Sequence, residues 1–174
     1  MLLQAPFIGR HNFPKCDVAV EVGTHRGAFA RCIRCNKLCC VDHWLAGYCS
    51  GDPASERPQS QRESDMAEAA VAVPHATLLR LSSAEAAATF ADTSVDFVYI
   101  DADHTRIAED IALWLPKCRG LLAGHDFLCP NEADGGWGKW VQPAVLALPY
   151  DVYLVLEHDN SPWSWYCDIR RSSC

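Results

Sequence analysis

Short apolar runs alternate with helical patterns along most of the chain. The runs are apolar throughout rather than alternating, which is typical of strands that are covered on both faces of a sheet. The predicted strands cover residues 17–23, 38–44, 75–81, 95–102, 120–126, 151–159 and 163–170. The stretches with helical spacing or composition cover residues 26–37, 64–73, 84–90, 105–117 and 137–148.

Strand and helix in regular succession indicate βαβ units and a mostly parallel sheet. The last two runs have no helical pattern between them, which favours a hairpin with one antiparallel strand. We therefore predict an α/β fold: a Rossmann-like, mostly parallel sheet of about seven strands, with helices on both faces and an antiparallel C-terminal hairpin at the sheet edge.

The chain length fits one domain. With 174 residues, of which 49% are hydrophobic and 21% charged, the composition is globular, and chains usually divide at roughly 100 to 200 residues per domain. We predict a single domain over residues 1–174. Within it, residues 50–65 are polar and contain proline, and this length favours a flexible loop or lid.

A glycine turn follows the first predicted strand. The residues from Glu21 to Gly27 read EVGTHRG, and a turn of this kind between a strand and a helix binds nucleotides. Asp42 ends the next strand, nineteen residues after Gly23, where a carboxylate can accept hydrogen bonds from ribose hydroxyls. His25 replaces the middle glycine of the dinucleotide pattern, which disfavours a nicotinamide oxidoreductase and favours a ligand without phosphates.

These blocks resemble the class I S-adenosylmethionine-dependent methyltransferases, in particular a small subfamily with a first motif like EVGTHRGAFA and a second strand ending like VDHW. The resemblance continues in SVDFVYIDADH and LLAGHDF and covers roughly residues 17–127. It implies that the glycine turn faces the methionine part of S-adenosylmethionine (SAM), that Asp42 binds the ribose, and that the residues after the third strand lie near the adenine. The cofactor-binding residues that it implies are Glu21, Gly23, Thr24, Gly27, Asp42, His43, Ser82, Ser83 and Asp101.

Acids and histidines cluster at the ends of two further strands. Asp101, Asp103 and His104 follow one strand, and His125 and Asp126 follow the next; ligands of open α/β sheets bind at this edge. Methyl transfer to a hydroxyl needs a base or a metal that lowers the pKa of the hydroxyl. Our hypothesis is that His104 or His125 is the base and that Asp126 orients it or holds a cation.

A divalent cation is one alternative for this cluster. The sequence is also similar to the metal-dependent O-methyltransferases, which implies that Asp101 and Asp126 bind Mg²⁺ or Mn²⁺. Carboxylates suit Mg²⁺, and nearby imidazoles shift the preference toward Mn²⁺, Fe²⁺ or Zn²⁺. The sequence departs from that family at Phe127, where an amide ligand is expected. The other alternative is catalysis without a metal.

Several classes of partner are disfavoured. The net charge of −7 argues against broad nucleic-acid binding, which needs a basic surface. No apolar run is long enough to span a bilayer and the first residues do not resemble a secretory leader, so we expect a cytoplasmic protein without a membrane partner. Most of its ten cysteines are then expected to be free thiols.

The identity of the acceptor is the least determined feature. Large aromatic residues near the predicted edge either line an acceptor pocket or belong to the core or to a homodimer interface; they are Trp137, Trp140, Trp163 and Trp165. We expect a SAM-dependent methyltransferase that acts on a hydroxyl oxygen of a small molecule. The alternative is a non-catalytic protein of the same fold that binds SAM or S-adenosylhomocysteine (SAH), or an interaction module.

Overall fold

One eight-stranded sheet forms the centre of the protein. The computed structural model describes residues 1–48, 55–128, 136–156 and 164–170. The strands are β1 (Leu2–Ile8), β2 (Cys16–Val22), β3 (Cys35–Asp42), β4 (Thr77–Arg80), β5 (Val95–Ile100), β6 (Cys118–Gly124), β7 (Val152–Leu156) and β8 (Ser164–Asp168). Their order is β1-β7-β8-β6-β5-β2-β3-β4. Strand β8 runs antiparallel to β6 and β7, and the other paired strands of the described chain are parallel.

Helices and aromatic side chains cover the two faces of the sheet. The helices are α1 (Gln59–Ala72), α2 (Ser83–Ala87), α3 (Ile107–Trp114) and α4 (Gly138–Leu146). Helices α2, α3 and α4 pack on one face, where Trp114 and Val145 join the core around Leu122. On the other face, Val73 at the end of α1 lies in a second core with Phe13. The predicted fold class is confirmed.

Strand β1 is an addition to the predicted strands. It pairs in parallel with β7, with Leu2 opposite Val152 and Gln4 opposite Leu154. Because β1 lies outside the C-terminal hairpin, it forms the edge of the sheet at this side. No helix in the described part of the chain has both the length and the apolar character that a membrane crossing requires.

The helix predicted over residues 26–37 is wrong. His25 and Gly27 both have left-handed backbone conformations, with φ of 51° and 75°, and two such residues prevent an α-helix from starting directly after the turn. Only a short 3₁₀ turn forms, at Ala30–Cys32, and β3 already begins at Cys35. The predicted helix before the second strand is thus replaced by a compact turn.

Helix α1 begins earlier than the sequence pattern predicts. Residues 50–54 of the predicted loop lie outside the described residues, but Gln59 already starts the helix. Its first half buries Arg62 and Asp65, which form an ion pair with 3.1 Å between Nη1 and Oδ2. Since these inward positions are charged rather than apolar, the helical period was not visible there.

The turn after β2 lies directly against the end of β5. Gly23 has a φ of 91°, and a Cβ at this position would lie 2.1 Å from the carbonyl oxygen of Asp101. The backbone N–H of Asp101 donates to the carbonyl of Val22 at 2.8 Å. The absence of a side chain at Gly23 therefore allows two strand ends to meet at one place.

We predict that Gly23→Ala destabilises the protein more than Gly47→Ala. Gly47 also has a positive φ, but a Cβ there would meet no atom within 4 Å. A left-handed alanine costs about 1–2 kcal/mol, and the clash at Gly23 adds roughly 1–3 kcal/mol. Denaturant unfolding of both variants measures the difference, and equal losses would contradict the described contact.

Candidate functional site

A cavity of about 430 Å³ opens at the carboxyl ends of β2, β3, β4 and β5. This volume is in the range of small-molecule and cofactor sites. The wall contains most of the residues that the sequence assigned to the cofactor, together with one of the proposed bases: Gly23, Asp42, His43, Ser82, Ser83, Asp101 and His104. The structure therefore brings residues that are far apart in sequence to one pocket.

Three of the predicted cofactor residues support the glycine turn from behind. The Glu21 side chain is buried, and burial together with the nearby Asp101 charge raises its pKa well above the usual value. Thr24 is also buried, and its hydroxyl donates to the backbone carbonyl of Glu21 at 3.5 Å. Gly27 packs against α1, where an added Cβ would lie 3.2 Å from Ala72 Cβ. These residues shape the turn.

Asp42 is held rigidly at the cavity wall. Its Oδ2 accepts from the backbone N–H of His25 at 2.8 Å, and its Oδ1 accepts from the backbone N–H of Trp44 at 2.8 Å and from Arg62 Nη2 at 3.1 Å. A carboxylate offers about four acceptor sites. The carboxylate is thus oriented in advance and retains capacity for a ribose hydroxyl.

A buried ion-pair network stands behind Asp42. Asp65 is fully buried in α1, and its carboxylate accepts from Arg26 Nε at 2.7 Å and from Arg62 Nη1 at 3.1 Å. Burial alone would raise the pKa of Asp65, but hydrogen bonds from Arg26 and Gln61 outweigh it and lower the pKa. Neither Arg62 nor Asp65 was predicted from the sequence, because charged residues on a helix usually indicate a solvated face.

Aromatic and hydroxyl groups form the wall between β3 and α2. The rings of His43 and Tyr48 lie 3.5 Å apart between centroids, and burial lowers the pKa of His43. Ser82 caps α2: its Oγ accepts from the backbone N–H of Glu85 at 3.1 Å and donates to the Glu85 carboxylate at 2.6 Å. Ser82 therefore has a structural role as a helix cap, and its place near the adenine stays a prediction.

The buried carboxyl group of Asp110, which was not predicted from the sequence, lies beside Ser83. The Ser83 Oγ accepts from Trp114 Nε1 at 2.9 Å. Asp110 lies next to Ser83 on the cavity wall, and burial raises its pKa to about 6 although a hydrogen bond from Ser83 opposes the shift. A carboxyl group with this pKa can accept or donate a hydrogen bond near neutral pH.

The acids and histidines after β5 and β6 meet in one cluster. His104 Nε2 lies 2.7 Å from Asp126 Oδ2 and 3.4 Å from Asp101 Oδ1. His125 Nδ1 lies 3.2 Å from Asp126 Oδ1. Asp126 adopts a φ of 57°, a backbone conformation that is strained for a residue with a side chain. One carboxylate is therefore shared by two imidazoles.

The carboxylates set the protonation of both imidazoles. Burial disfavours the charged form of His104, but Asp101 and Asp126 outweigh burial and raise its pKa to about 10. The pKa of His125 is also raised, against the effect of burial, mainly by Asp126. Burial works against the charge of Asp126 too, yet the two histidines hold its pKa below the usual value. The two carboxylates therefore favour the protonated form of His104.

The donor atoms of this cluster also fit a divalent cation. One ligand atom each of Asp101, His125 and Asp126 lies within 4.8 Å of the others. Two carboxylates and one imidazole are a donor set for Mn²⁺, Fe²⁺ or Zn²⁺ more than for Mg²⁺. His125 extends the predicted pair of ligands, whereas Phe127 is buried in the hydrophobic core.

The tryptophans have different environments. Trp137 lines the cavity, and its ring stacks on His104 with 5.2 Å between centroids and an interplanar angle of 19°. Trp165 is completely buried in the core, and Trp140 is 45% exposed. Trp163 lies outside the described residues. Among the tryptophans in the described residues, Trp137 is thus the one that lines the cavity beside His104.

Comparison with known proteins agrees with the geometry of this site. Residues 20–127 match the sequence model of a family described as a methyltransferase domain. This match covers more than half of the chain and includes the glycine turn, Asp42 and the acid–histidine cluster. No curated protein is similar enough to the chain to count as a match.

Solved structures share the fold at low sequence identity. The cofactor-bound protein Rv0187 from MTB has a TM-score of 0.57 and 14% identity, over 88% of this chain and 73% of that one. An O-methyltransferase from Bacillus cereus in complex with SAH has a TM-score of 0.57 and 12% identity, over 86% and 72%. Spermidine synthase from Thermotoga maritima has a TM-score of 0.57 and 12% identity, over 94% of this chain but 55% of that one.

The family match and the shared fold confirm the resemblance to the methyltransferases that is seen in the sequence. The chain therefore belongs to the methyltransferase-domain family and has the fold of the class I S-adenosylmethionine-dependent methyltransferases.

Proposed function

We propose that the protein transfers the methyl group of SAM to a hydroxyl oxygen of a small molecule. The observation that carries the proposal is the position of His104, whose Nε2 lies between the carboxylates of Asp101 and Asp126. His104 also lines the cavity. A proton-transfer group thus adjoins the space in which family members bind SAM.

The chemistry of a hydroxyl acceptor explains the need for such a group. Methyl transfer is an in-line displacement at a sulfonium, so the protein must position the acceptor and remove its proton. The sulfonium is positively charged, so its presence beside His104 would lower the pKa of the imidazole and favour release of the imidazolium proton to solvent, because like charges repel. The neutral imidazole would then accept the hydroxyl proton, while Asp126 orients the ring and His125 holds the second oxygen of Asp126.

The cavity favours a small acceptor. Its volume of about 430 Å³ is that of a site for small molecules, and the cofactor occupies part of it. Trp137 offers the acceptor a flat apolar surface next to His104. The net charge of −7 disfavours nucleic acid as a substrate. A cytoplasmic location, the absence of a membrane partner and a homodimer stay predictions.

A non-catalytic SAM- or SAH-binding protein, or an interaction module on the same fold, is the second candidate. One observation favours it: His104 Nε2 lies 2.7 Å from Asp126 Oδ2 and 3.4 Å from Asp101 Oδ1, and these acids raise the pKa of the imidazole, which disfavours its action as a base. The two candidates differ in turnover. Release of SAH from SAM in the presence of an acceptor supports the enzyme, and binding without turnover across acceptors supports the alternative.

We predict that His104→Ala lowers kcat for methyl transfer about 10²- to 10⁴-fold, the usual contribution of a general base. The measurement is SAH release with a panel of hydroxyl, amine and carboxylate acceptors, and we expect turnover with hydroxyl acceptors. SAH binding should change by less than about threefold, since the SAH sulfur is uncharged and no longer interacts strongly with the imidazole.

His75→Ala is the matched control, because His75 is exposed before β4 and lies away from the cavity wall. This variant is expected to keep wild-type turnover. If His104→Ala and His125→Ala both kept wild-type turnover as well, neither histidine would be the base, and the proposed mechanism would be wrong.

A divalent cation at Asp101, His125 and Asp126 is the alternative means of activating the acceptor hydroxyl in this proposal. When bound, the cation supplies a Lewis acid that lowers the pKa of the acceptor hydroxyl. The carboxylates of Asp101 and Asp126 would hold it, together with the imidazole of His125. The support for this site is the distance of at most 4.8 Å between the donor atoms.

We predict that the protein binds one Mn²⁺ ion and that Asp126→Asn weakens this binding about 10-fold or more, because a charged ligand is lost. Electron paramagnetic resonance of free Mn²⁺ in a titration measures the binding without an acceptor. Asp92→Asn is the control, because Asp92 is an exposed acid paired with Lys117. If the wild-type protein did not bind Mn²⁺ stoichiometrically, the proposed cation site would be wrong, and only the base would activate the acceptor.

A further inference from the structure

The N-terminal segment brings an arginine to the functional site. Strand β1 runs parallel to β7, so its carboxyl end reaches the same edge of the sheet as the cavity. The segment after β1 turns at Gly9, whose N–H donates to the carbonyl of Leu156 at 2.7 Å. Arg10 follows at once. It lies before the matched residues 20–127, so the family match does not describe it.

The backbone around Arg10 is fixed from both sides. Before it, β1 is hydrogen-bonded to β7. After it, Phe13 is buried in the core, with ring centroids 5.0 Å from Phe97 and 5.7 Å from Tyr166. An arginine on a fixed backbone loses less conformational entropy on binding a ligand than one on a loose terminus. The position of Arg10 is therefore built into the fold.

The guanidinium of Arg10 lies beside Asp101. Its Nη1 is 3.8 Å from Asp101 Oδ2, and its Cζ lies 5.2 Å from the centroid of the Phe29 ring. The Arg10 side chain remains 32% exposed, so a ligand can reach it. Asp101 in turn lines the cavity, and its carbonyl abuts Gly23. A cation and an anion thus stand together at the glycine-turn end of the cavity.

Such a pair matches an α-amino acid. The methionine part of SAM carries one carboxylate and one ammonium group on the same carbon, and a site for it needs one group of each charge. Arginine is the residue that binds carboxylates most specifically, through two parallel N–H donors. Two described arginines line the cavity, Arg62 and Arg106, and they are paired with Asp42 and Glu109, whereas Arg10 lies behind the lining residue Asp101.

We propose that Arg10 binds the α-carboxylate of the cofactor while Asp101 faces its ammonium group. The proposal rests on SAM as the cofactor and adds a specificity residue that β1 supplies. Arg10 then selects cofactors with an intact amino-acid end over nucleosides that lack the carboxylate.

Titration calorimetry with SAH and with decarboxylated SAH tests this proposal. The two ligands share the adenosine, the sulfur and the ammonium group and differ in the carboxylate. The wild-type protein is expected to bind SAH about 10- to 100-fold more tightly, because a charge-assisted hydrogen bond is lost with the carboxylate. In Arg10→Gln the two ligands should bind within about threefold of each other, and Arg10→Lys should show an intermediate preference.

Arg119→Gln is the matched control. Arg119 is a partly exposed arginine near the start of β6, where its Nε lies 2.7 Å from Asp96 Oδ1 at the edge opposite the cavity. This variant should keep the wild-type preference for SAH. A merely structural role of Arg10 would weaken both ligands alike and leave their ratio unchanged, so the ratio separates the two roles.

Two results would overturn the proposal. Arg10→Gln with the wild-type preference for SAH would show that Arg10 does not bind the cofactor carboxylate, while the cofactor assignment stays valid. A wild-type protein that binds neither ligand would overturn the cofactor assignment together with this proposal. Thermal unfolding of the unliganded variant shows whether Arg10→Gln folds. If it does not fold, the preference for SAH over decarboxylated SAH is compared between Arg10→Lys and the wild-type protein, and an unchanged preference in Arg10→Lys would contradict the proposal.

Discussion

The close contact between Gly23 and the backbone of Asp101 determines how the site is assembled. A Cβ at Gly23 would lie 2.1 Å from the Asp101 carbonyl oxygen, so the turn after β2 can reach the end of β5 only with a glycine there. The residues at this contact then interact with different parts of the site. His25 donates its backbone N–H to Asp42, and Asp101 faces His104. The groups assigned to the cofactor and those assigned to the acceptor thus share one backbone junction.

At the cavity edge of the sheet, three acids are each paired with a basic side chain of the protein. Arg62 faces Asp42, Arg10 faces Asp101, and His104 faces Asp126. Buried carboxylates without partners would be costly, and each of these three acids has a positively charged or protonatable side chain opposite it. A sulfonium cofactor brings one more positive charge into this field. The carboxylates that raise the pKa of His104 would also attract the positively charged cofactor.

Much of the site was predictable because it consists of polar residues at the ends of apolar strands. The compact turn that replaces the helix predicted over residues 26–37 was not predictable, since Phe29 and Ile33 have helical spacing while the left-handed residues before them prevent a helix. The start of α1 was hidden because its buried positions are charged. The role proposed for Arg10 depends on its contact with Asp101, which is distant in the sequence. No hydrophobic periodicity or sequence motif indicates this contact.

The measurement that tests the central claim most directly is the effect of SAH on the unfolding free energy of the full chain, with NAD⁺ as the comparison ligand. Occupation of the cavity by SAH at a hundredfold its dissociation constant should stabilise the protein by about 2.7 kcal/mol, and NAD⁺ at the same concentration should have no effect. An unfolding free energy that SAH leaves unchanged would contradict the assignment of this cavity as the cofactor site.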